Sequence, residues 1–409
     1  MHILCTECAA EAPFGVMGRC STCGGILAVA YPDEVVNQLA IIHPARGLDH
    51  FRPLLPVSTP LPTLGEGDTP LLLSRRIGPA LGLQRLYFKV EGGNPTGAFK
   101  DRAAALIAAL AVEAGAKGVV TASSGNSAAA ISAYCAVAGL ACLILIEPGS
   151  PPAKLRQTLI TGARVMPVEG LFQQGPEAIG KLILKIAEAL DFYPAFAWAP
   201  VNPYIMEGIK TLAYETVVQL PGAPELLVCP VGGGDMLTAQ WRAYLELKRV
   251  EMIEKLPRLA AVQAVQAAPL LAAFQKGAAR VATLAAATSK ISGINVPFSG
   301  EHALSAVRES GGTVIGVEDE AVFEMQRRLA LDEGLWVEPV SAAPVAALAE
   351  LLAQGQVQPE ERIVCILSGA GFKDSSLAEA EAQAVSRQPP VLFEVETIID
   401  QVRNQVALN

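Results

Sequence analysis

The stretch Asn94-Pro95-Thr96-Gly97-Ala98-Phe99-Lys100-Asp101-Arg102 decides how this chain is read. Asn94 to Gly97 is turn chemistry, separating the strand-like run Leu86–Val90 from an Ala-rich segment whose helix is expected to begin near Ala98. Lys100 then falls on the first helical turn, among backbone N–H groups that lack intrahelical partners and carry partial positive charge. Followed by the apolar run Ala103 to Val112, an ammonium there is expected to lose its proton easily, because burial disfavours the charged form. A neutral lysine amine can form an imine with a carbonyl compound. The alternative is a surface lysine solvated beside Asp101 and Arg102.

The rest of the chain supplies the setting. It has 409 residues, 51% hydrophobic and only 17% charged, so much helical surface must be buried between layers or subunits. A net charge of −9, with no basic stripe, argues against a nucleic-acid partner. The N-terminus MHILCTECAAEAP lacks the basic and apolar regions of a secretory signal, and the chain is read as soluble and cytoplasmic. The uncharged run Gly118 to Ile146 is interrupted by Ser123, Ser124, Gly125, Asn126 and Gly139, so it reads as a buried βαβ segment rather than a membrane span.

Cys5-x-x-Cys8 and Cys20-x-x-Cys23, with 11 residues between the pairs, have the spacing of two knuckles that offer four thiolates to a structural zinc ion. The alternative is two turns whose thiols stay reduced and metal-free. Cys135, Cys142, Cys229 and Cys365 lie singly in apolar stretches and read as core. Residues 32–65, broken by Pro44, Pro53, Pro56, Pro60 and Pro62, read as a linking arm before the turn Gly65–Pro70. Strand-like runs then follow at Leu71–Ser74, Leu86–Val90, Gly118–Ala122, Ala141–Ile146, Arg164–Val168, Leu226–Val231, Leu259–Val265, Thr313–Val317 and Arg362–Leu367. Segments of helical periodicity, among them Ser127–Ala138, Phe172–Leu190, Leu237–Arg249 and Ala342–Ala353, lie between them. That alternation predicts an α/β fold with largely parallel sheets and ligands at the strands' carboxyl ends. A helix is expected after Pro390.

Three more strand-end loops carry chemistry. Thr121–Ser127 puts small polar groups at a helix start, suited to an anion or a hydroxyl, although such residues also cap helices for stability alone. Gly232-Gly233-Gly234, followed by Asp235 and Met236, has no Cβ to obstruct a phosphate; a plain tight turn is the alternative. It matches neither the Lys-bearing P-loop nor G-x-G-x-x-G, which argues against ATP and NAD. Ser368, in Leu367–Asp374, is placed to hydrogen-bond a heterocyclic nitrogen or to cap the next turn. One lysine, a phosphate cradle, a polar loop and a strand-end serine together suit pyridoxal phosphate.

The motifs GEGDTP, NPTGAFKDR, SSGNSA, VNPYIMEGIKT, GGGDM, EPVSAA and LSGAGFKD resemble, in order, those of threonine synthase and its fold type II pyridoxal-phosphate relatives. The resemblance spans residue 1 to about Ser375. It implies a zinc ribbon at 1–30, a large cofactor domain at 31–97 and 206–389, a small domain at 98–205 and a tail at 390–409. It also implies that Lys100 is the Schiff-base lysine and that Phe99 lies under the cofactor ring. Asn126 would bond the ring hydroxyl, Gly232, Gly233, Gly234, Asp235 and Met236 would hold the phosphate, and Ser368 would face the pyridine nitrogen. Ser123, Ser124, Ser127 and Asn202 are the implied substrate contacts, and Cys5, Cys8, Cys20 and Cys23 the zinc ligands. The implied activity is that of a lyase converting O-phospho-L-homoserine and water to L-threonine and phosphate, in a homodimer. Two features depart from that pattern. Ala197–Ile205 has no Arg to clamp a substrate phosphate, leaving Lys154, Arg156 or Lys210 as replacements, and GGGDM is closer to the glycine loop of threonine and serine dehydratases. An ammonia-lyase or other β-elimination or replacement enzyme is therefore the alternative, and a catalytically dead scaffold the non-enzymatic one.

Overall fold

The computed structural model describes residues 1–38, 47–150, 152–220 and 222–375, with 378, 379, 382, 383 and 386 beyond them. Met1–Lys373 forms one compact unit and Asp374–Asn409 another. The first unit opens with β1 (His2–Cys5), β2 (Glu11–Ala12) and β3 (Leu27–Ala30), an antiparallel sheet in the order β2-β1-β3. After α1 (Asp33–Val36), the expected irregular arm contains a 3-10 helix, Leu48–Leu54, which turns at Pro53 and buries Leu48, Phe51 and Leu54. Part of that arm, including Pro44, and the helix expected after Pro390 lie outside the described residues.

β4 (Leu71–Leu73), α2 (Ile77–Ala80) and β5 (Arg85–Val90) lead into α3 (Lys100–Glu113). A four-stranded parallel sheet follows, ordered β8-β7-β6-β9. It is built from β6 (Gly118–Ala122), α4 (Asn126–Ala138), β7 (Ala141–Ile146), α5 (Pro152–Ile160), β8 (Arg164–Pro167), α6 (Pro176–Leu190) and β9 (Phe192–Pro194). Gly139 takes a left-handed conformation at φ 68°, ending α4 and returning the chain to β7. This is the βαβ unit expected over Gly118–Ile146, and among the described residues no helix is long and apolar enough to cross a membrane.

The remaining elements are α7 (Ile205–Gln219), β10 (Leu226–Pro230), α8 (Asp235–Arg249), β11 (Arg258–Ala264), α9 (Pro269–Gln275), α10 (Glu301–Glu309), β12 (Thr313–Val317), α11 (Asp319–Glu333), α12 (Pro339–Ala353) and β13 (Arg362–Leu367). They complete a six-stranded sheet, β12-β11-β10-β13-β5-β4, parallel except where β4 meets β5. Its central strands are apolar on both faces because both are covered. In β10, Leu227 and Cys229 join the core shared with α3, α7 and α8, while Leu226 and Val228 join the core under α12. Cys135, Cys142, Cys229 and Cys365 are all buried.

Two expected boundaries move. The helix expected over Phe172–Leu190 is a 3-10 turn, Phe172–Gln174, and then α6, since Gly175 at φ 79° breaks the run and Pro176 opens the next helix. The helix expected from Ala98 begins at Lys100, because the backbone just before it is bonded elsewhere. Phe99 N donates to Ser368 O at 3.0 Å and Ala370 N to Gly97 O at 2.8 Å, joining the loop before α3 to the loop after β13.

Candidate active site

That junction brings the first and fourth loops together. Lys100 is half-buried, with Nζ 4.7 Å from the centre of the Phe99 ring. Burial lowers its pKa, partly offset by the Asp235 carboxylate, so the amine lies on the side of the glycine loop. Its neighbours are not the solvated pair that a surface lysine would have: Asp101 and Arg102 are fully buried. Arg102 Nε bonds Glu91 Oε2 at 2.7 Å, its Nη2 pairs with Glu215, and Lys89 Nζ meets Glu215 Oε2 at 2.9 Å. Two cations and two carboxylates thus cancel inside the core and hold the first turn of α3 in place. Asp101 accepts from Thr96 N at 2.7 Å and from its hydroxyl, yet desolvation still pushes its carboxyl up to about 6.

The glycine loop is open because nothing else fits. A Cβ on Gly233 would come within 3.1 Å of the Trp198 ring, and one on Gly234, at φ 107°, within 2.5 Å of Ala303 Cβ. The carbonyls of the loop are already used: Gly232 O accepts from Ser299 Oγ at 2.8 Å and Gly233 O from Gly300 N at 2.9 Å. The Asp235 side chain is not part of that cradle. It accepts from Ala199 N at 3.1 Å and lies 3.1 Å from His302 Nε2.

Between the second and fourth loops stands a residue to which the sequence reading gave no role. Glu338, just before α12, accepts from Asn126 Nδ2 at 3.1 Å on both oxygens and from Ser368 Oγ at 3.4 Å. Ser341 Oγ lies 3.2 Å from Ser368 Oγ and accepts from Gly369 N at 2.8 Å. Gly369 is required there, since a Cβ would collide with the Glu338 carboxylate. The EPVSAA motif was the available signal, but only tertiary placement turns its carboxylate toward Asn126.

Ser123, Ser124 and Ser127 are half-buried around the first turn of α4, with Ser123 Oγ accepting from Gly125 N at 3.2 Å. Asn202 lies apart from these serines. It is fully buried, its Oδ1 accepts from Tyr204 N at 3.0 Å and its Nδ2 donates to Pro194 O at 3.1 Å, so it shapes the turn before α7. Lys210 is likewise spent, paired with Glu207 at 2.8 Å and Glu246 at 2.7 Å in the core. Lys154 and Arg156 lie on α5, half-buried and exposed respectively. The same helix reaches the Lys100 loop, for Gln157 Nε2 donates to Thr96 O at 3.2 Å.

At the N-terminus, the Sγ atoms of Cys5, Cys8, Cys20 and Cys23 lie within 4.8 Å of one another. Tetrahedral zinc with ~2.3 Å bonds needs sulfurs about 3.8 Å apart, so the cluster suits that ion. Glu7 N, Thr22 N and Gly25 N each donate to a cysteine sulfur at 3.4 Å.

An amine of lowered basicity, a glycine cradle, an amide and a hydroxyl converging from four strand-end loops fit pyridoxal phosphate. Residues 62–369 match the family described as "Pyridoxal-phosphate dependent enzyme". The chain belongs to that family. It is 34% identical over 380 residues to a threonine synthase of Methanosarcina acetivorans, covering 91% of this chain and 92% of that one. To a threonine synthase of Synechocystis sp. it is 39% identical over 338 residues, covering 81% and 85%. Among solved structures, maize serine racemase is similar at a TM-score of 0.66 and 25% identity, covering 78% of this chain and 92% of that one. A tomato threonine deaminase isoform shares the fold alone, at a TM-score of 0.66 and 20% identity over 91% of this chain and 94% of that one. The α/β fold type II architecture expected from the motifs is therefore the observed one.

Proposed function

We propose that this protein is a threonine synthase, a lyase that takes O-phospho-L-homoserine and water to L-threonine and phosphate. The observation that carries the reading is the extent of likeness to curated threonine synthases, 34–39% identity over most of the chain, joined to the convergence of Lys100, the glycine loop, Asn126 and Ser368. In this reading Phe99 and Lys100 face the cofactor, Gly232, Gly233, Gly234 and the amides of Asp235 and Met236 hold its phosphate, and Asn126 and Ser368 hold its ring edge. When bound, pyridoxal phosphate supplies an aldehyde for the substrate amine and an electron sink for the carbanion at Cα. Lys100, with its lowered basicity, removes and returns the proton at that carbon. Ser368 donates a neutral hydrogen bond, which leaves the pyridine nitrogen uncharged and favours elimination. The first turn of α4, with Ser123, Ser124 and Ser127, binds the anionic end of the amino acid. Lys154 on α5 takes the substrate's phosphate. A structural zinc ion in the ribbon, a homodimer, a cytoplasmic location and the division 1–30, 31–97 with 206–389, 98–205 and 390–409 belong to the same reading.

An ammonia-lyase for threonine or serine is the second reading, favoured by the turn Trp198–Tyr204, whose sequence carries no Arg to clamp a substrate phosphate. Incubation with O-phosphohomoserine, and separately with threonine and serine, separates the two. Phosphate release with threonine formation supports the synthase. Oxobutyrate or pyruvate alone supports the lyase, and absence of phosphate release at every substrate concentration rules the synthase out.

A further inference from the structure

The cysteine cluster and the glycine loop are more than two hundred residues apart in the chain, yet one short turn, Trp198–Tyr204, touches both sides. On one side is the ribbon's outer loop, Pro13–Arg19, whose two ends run into the two cysteine knuckles. Gly18 N donates to Val201 O at 2.8 Å, Gly15 N to the Tyr204 hydroxyl at 2.6 Å, and Phe14 lies edge-on to the Tyr204 ring at 5.3 Å. Gly15 and Gly18 sit at φ 90° and 92°, so the loop reaches the turn in a conformation other residues rarely adopt. On the other side is the cradle. Trp198 packs under Gly233, and Ala199 N donates to Asp235 Oδ1 at 3.1 Å. The turn transmits force between them as a block, because Val201 N and Asn202 N both donate to Trp198 O, at 2.9 and 3.0 Å.

We propose that the ribbon is a strut for the cofactor cradle. Metal at Cys5, Cys8, Cys20 and Cys23 fixes the Pro13–Arg19 loop, the loop fixes Trp198–Tyr204, and that turn sets the positions of Gly233 and Asp235. Phe14, Gly15, Gly18 and Tyr204 are positioning residues; none of them touches the cofactor. The inference rests on the pyridoxal-phosphate reading of the glycine loop. By linkage it works both ways: metal tightens the cofactor, and the cofactor slows loss of metal.

The test uses full-length protein freed of pyridoxal phosphate and titrated with it, following the visible absorbance of the bound cofactor. Three proteins are compared: the zinc-loaded parent, the parent after zinc chelation, and the zinc-loaded double variant Phe14→Ala with Tyr204→Phe. The double variant keeps all four cysteines and the buried ring of Tyr204, so it reads the strut even if chelation unfolds the ribbon. Its cofactor affinity is expected to fall roughly threefold to tenfold, the scale of one lost hydrogen bond and its packing, at unchanged zinc content. Arg19→Ala, which loses the exposed 3.4 Å pair with Glu177 and a 3.3 Å bond to Gly24 O but no bond to the Trp198–Tyr204 turn, is expected to titrate like the parent. Zinc release to a chelator is expected to slow when pyridoxal phosphate is bound. Equal affinities in the parent and the double variant, with release unaffected by the cofactor, overturn the strut. A zinc-loaded parent that takes up no pyridoxal phosphate overturns the cofactor reading beneath it.

Discussion

At Lys100, desolvation of the amine outweighs the attraction of Asp235, and the pKa falls. The ammonium has only one carboxylate acting on it, whereas Arg102 two residues on is held between Glu91 and Glu215. That contrast separates a residue kept charged for structure from one made available for chemistry. Lys100→Ala is expected to abolish the visible absorbance of the cofactor-loaded protein and to lower kcat by at least about 10²-fold, the scale of a removed acid–base group, without loss of fold by circular dichroism. Asp101 gives the second test. Its carboxyl is raised from an ordinary 3.8 to about 6 by burial, so the folded state binds its proton more tightly than the unfolded state does. Its contribution to stability is therefore full below pH ~4, falls as pH rises, and levels off above pH ~6, a span of roughly 3 kcal/mol at about 1.4 kcal/mol per pKa unit. The melting temperature of the parent relative to Asp101→Asn, measured from pH 4 to 7, is expected to drop across that window; a difference that does not change with pH contradicts the assignment. Lys100, the glycines and Ser368 were legible in the sequence because each follows a strand and carries its chemistry in its own type. Glu338 was not, since a carboxylate before a helix reads as ordinary dipole compensation until Asn126 and Ser368 are seen to meet it. The turn-shaping bonds of Asn202 to Tyr204 N and Pro194 O were equally hidden, since an amide in a polar motif does not announce its backbone partners.

At the scale of elements, α5 joins the four-stranded sheet to the loop before α3. Gln157 donates to Thr96 O, and Lys373 Nζ reaches both Thr96 O, at 3.0 Å, and Gln157. Lys154 lies three residues before Gln157 and so on the same face of the helix. With Lys210 locked between Glu207 and Glu246, the proposed function gives the substrate phosphate to Lys154. Lys154→Ala is expected to raise KM for O-phosphohomoserine about tenfold or more, the value of one charge-assisted contact, while kcat changes little. Initial-rate kinetics check this, and a drop in kcat at constant KM assigns the residue another task. β7, which leads into this helix, was readable because a buried parallel strand is a continuous apolar run. β9, with only Phe192–Pro194 paired to β6, was too short to leave a periodic signal, while the break at Gly175 did carry one, the Gly175-Pro176 pair that the reading of 172–190 as one helix ran through.

For the whole molecule, the two parallel sheets contribute different halves of one site. Asn126 begins a helix that crosses the four-stranded sheet, while the glycine loop and Ser368 follow β10 and β13 of the six-stranded sheet. The sequence could show that both sheets exist, because strands and helices alternate, but not that their loops meet. The meeting depends on contacts such as Asn126 Nδ2 with Glu338, made by residues 212 positions apart. A ligand held from both sides stabilises the folded chain only when both sides are folded. Saturating pyridoxal phosphate, at ~100 times its dissociation constant, is therefore expected to add about 2.7 kcal/mol and to raise a single cooperative melting transition by a few degrees. In Ser368→Ala, the same titration is expected to shift the melting temperature less, because the ring loses a contact while the phosphate cradle remains. Differential scanning calorimetry reads both. Two separately melting transitions, with only one moved by the cofactor, would mean that the loops of a single sheet suffice to hold it.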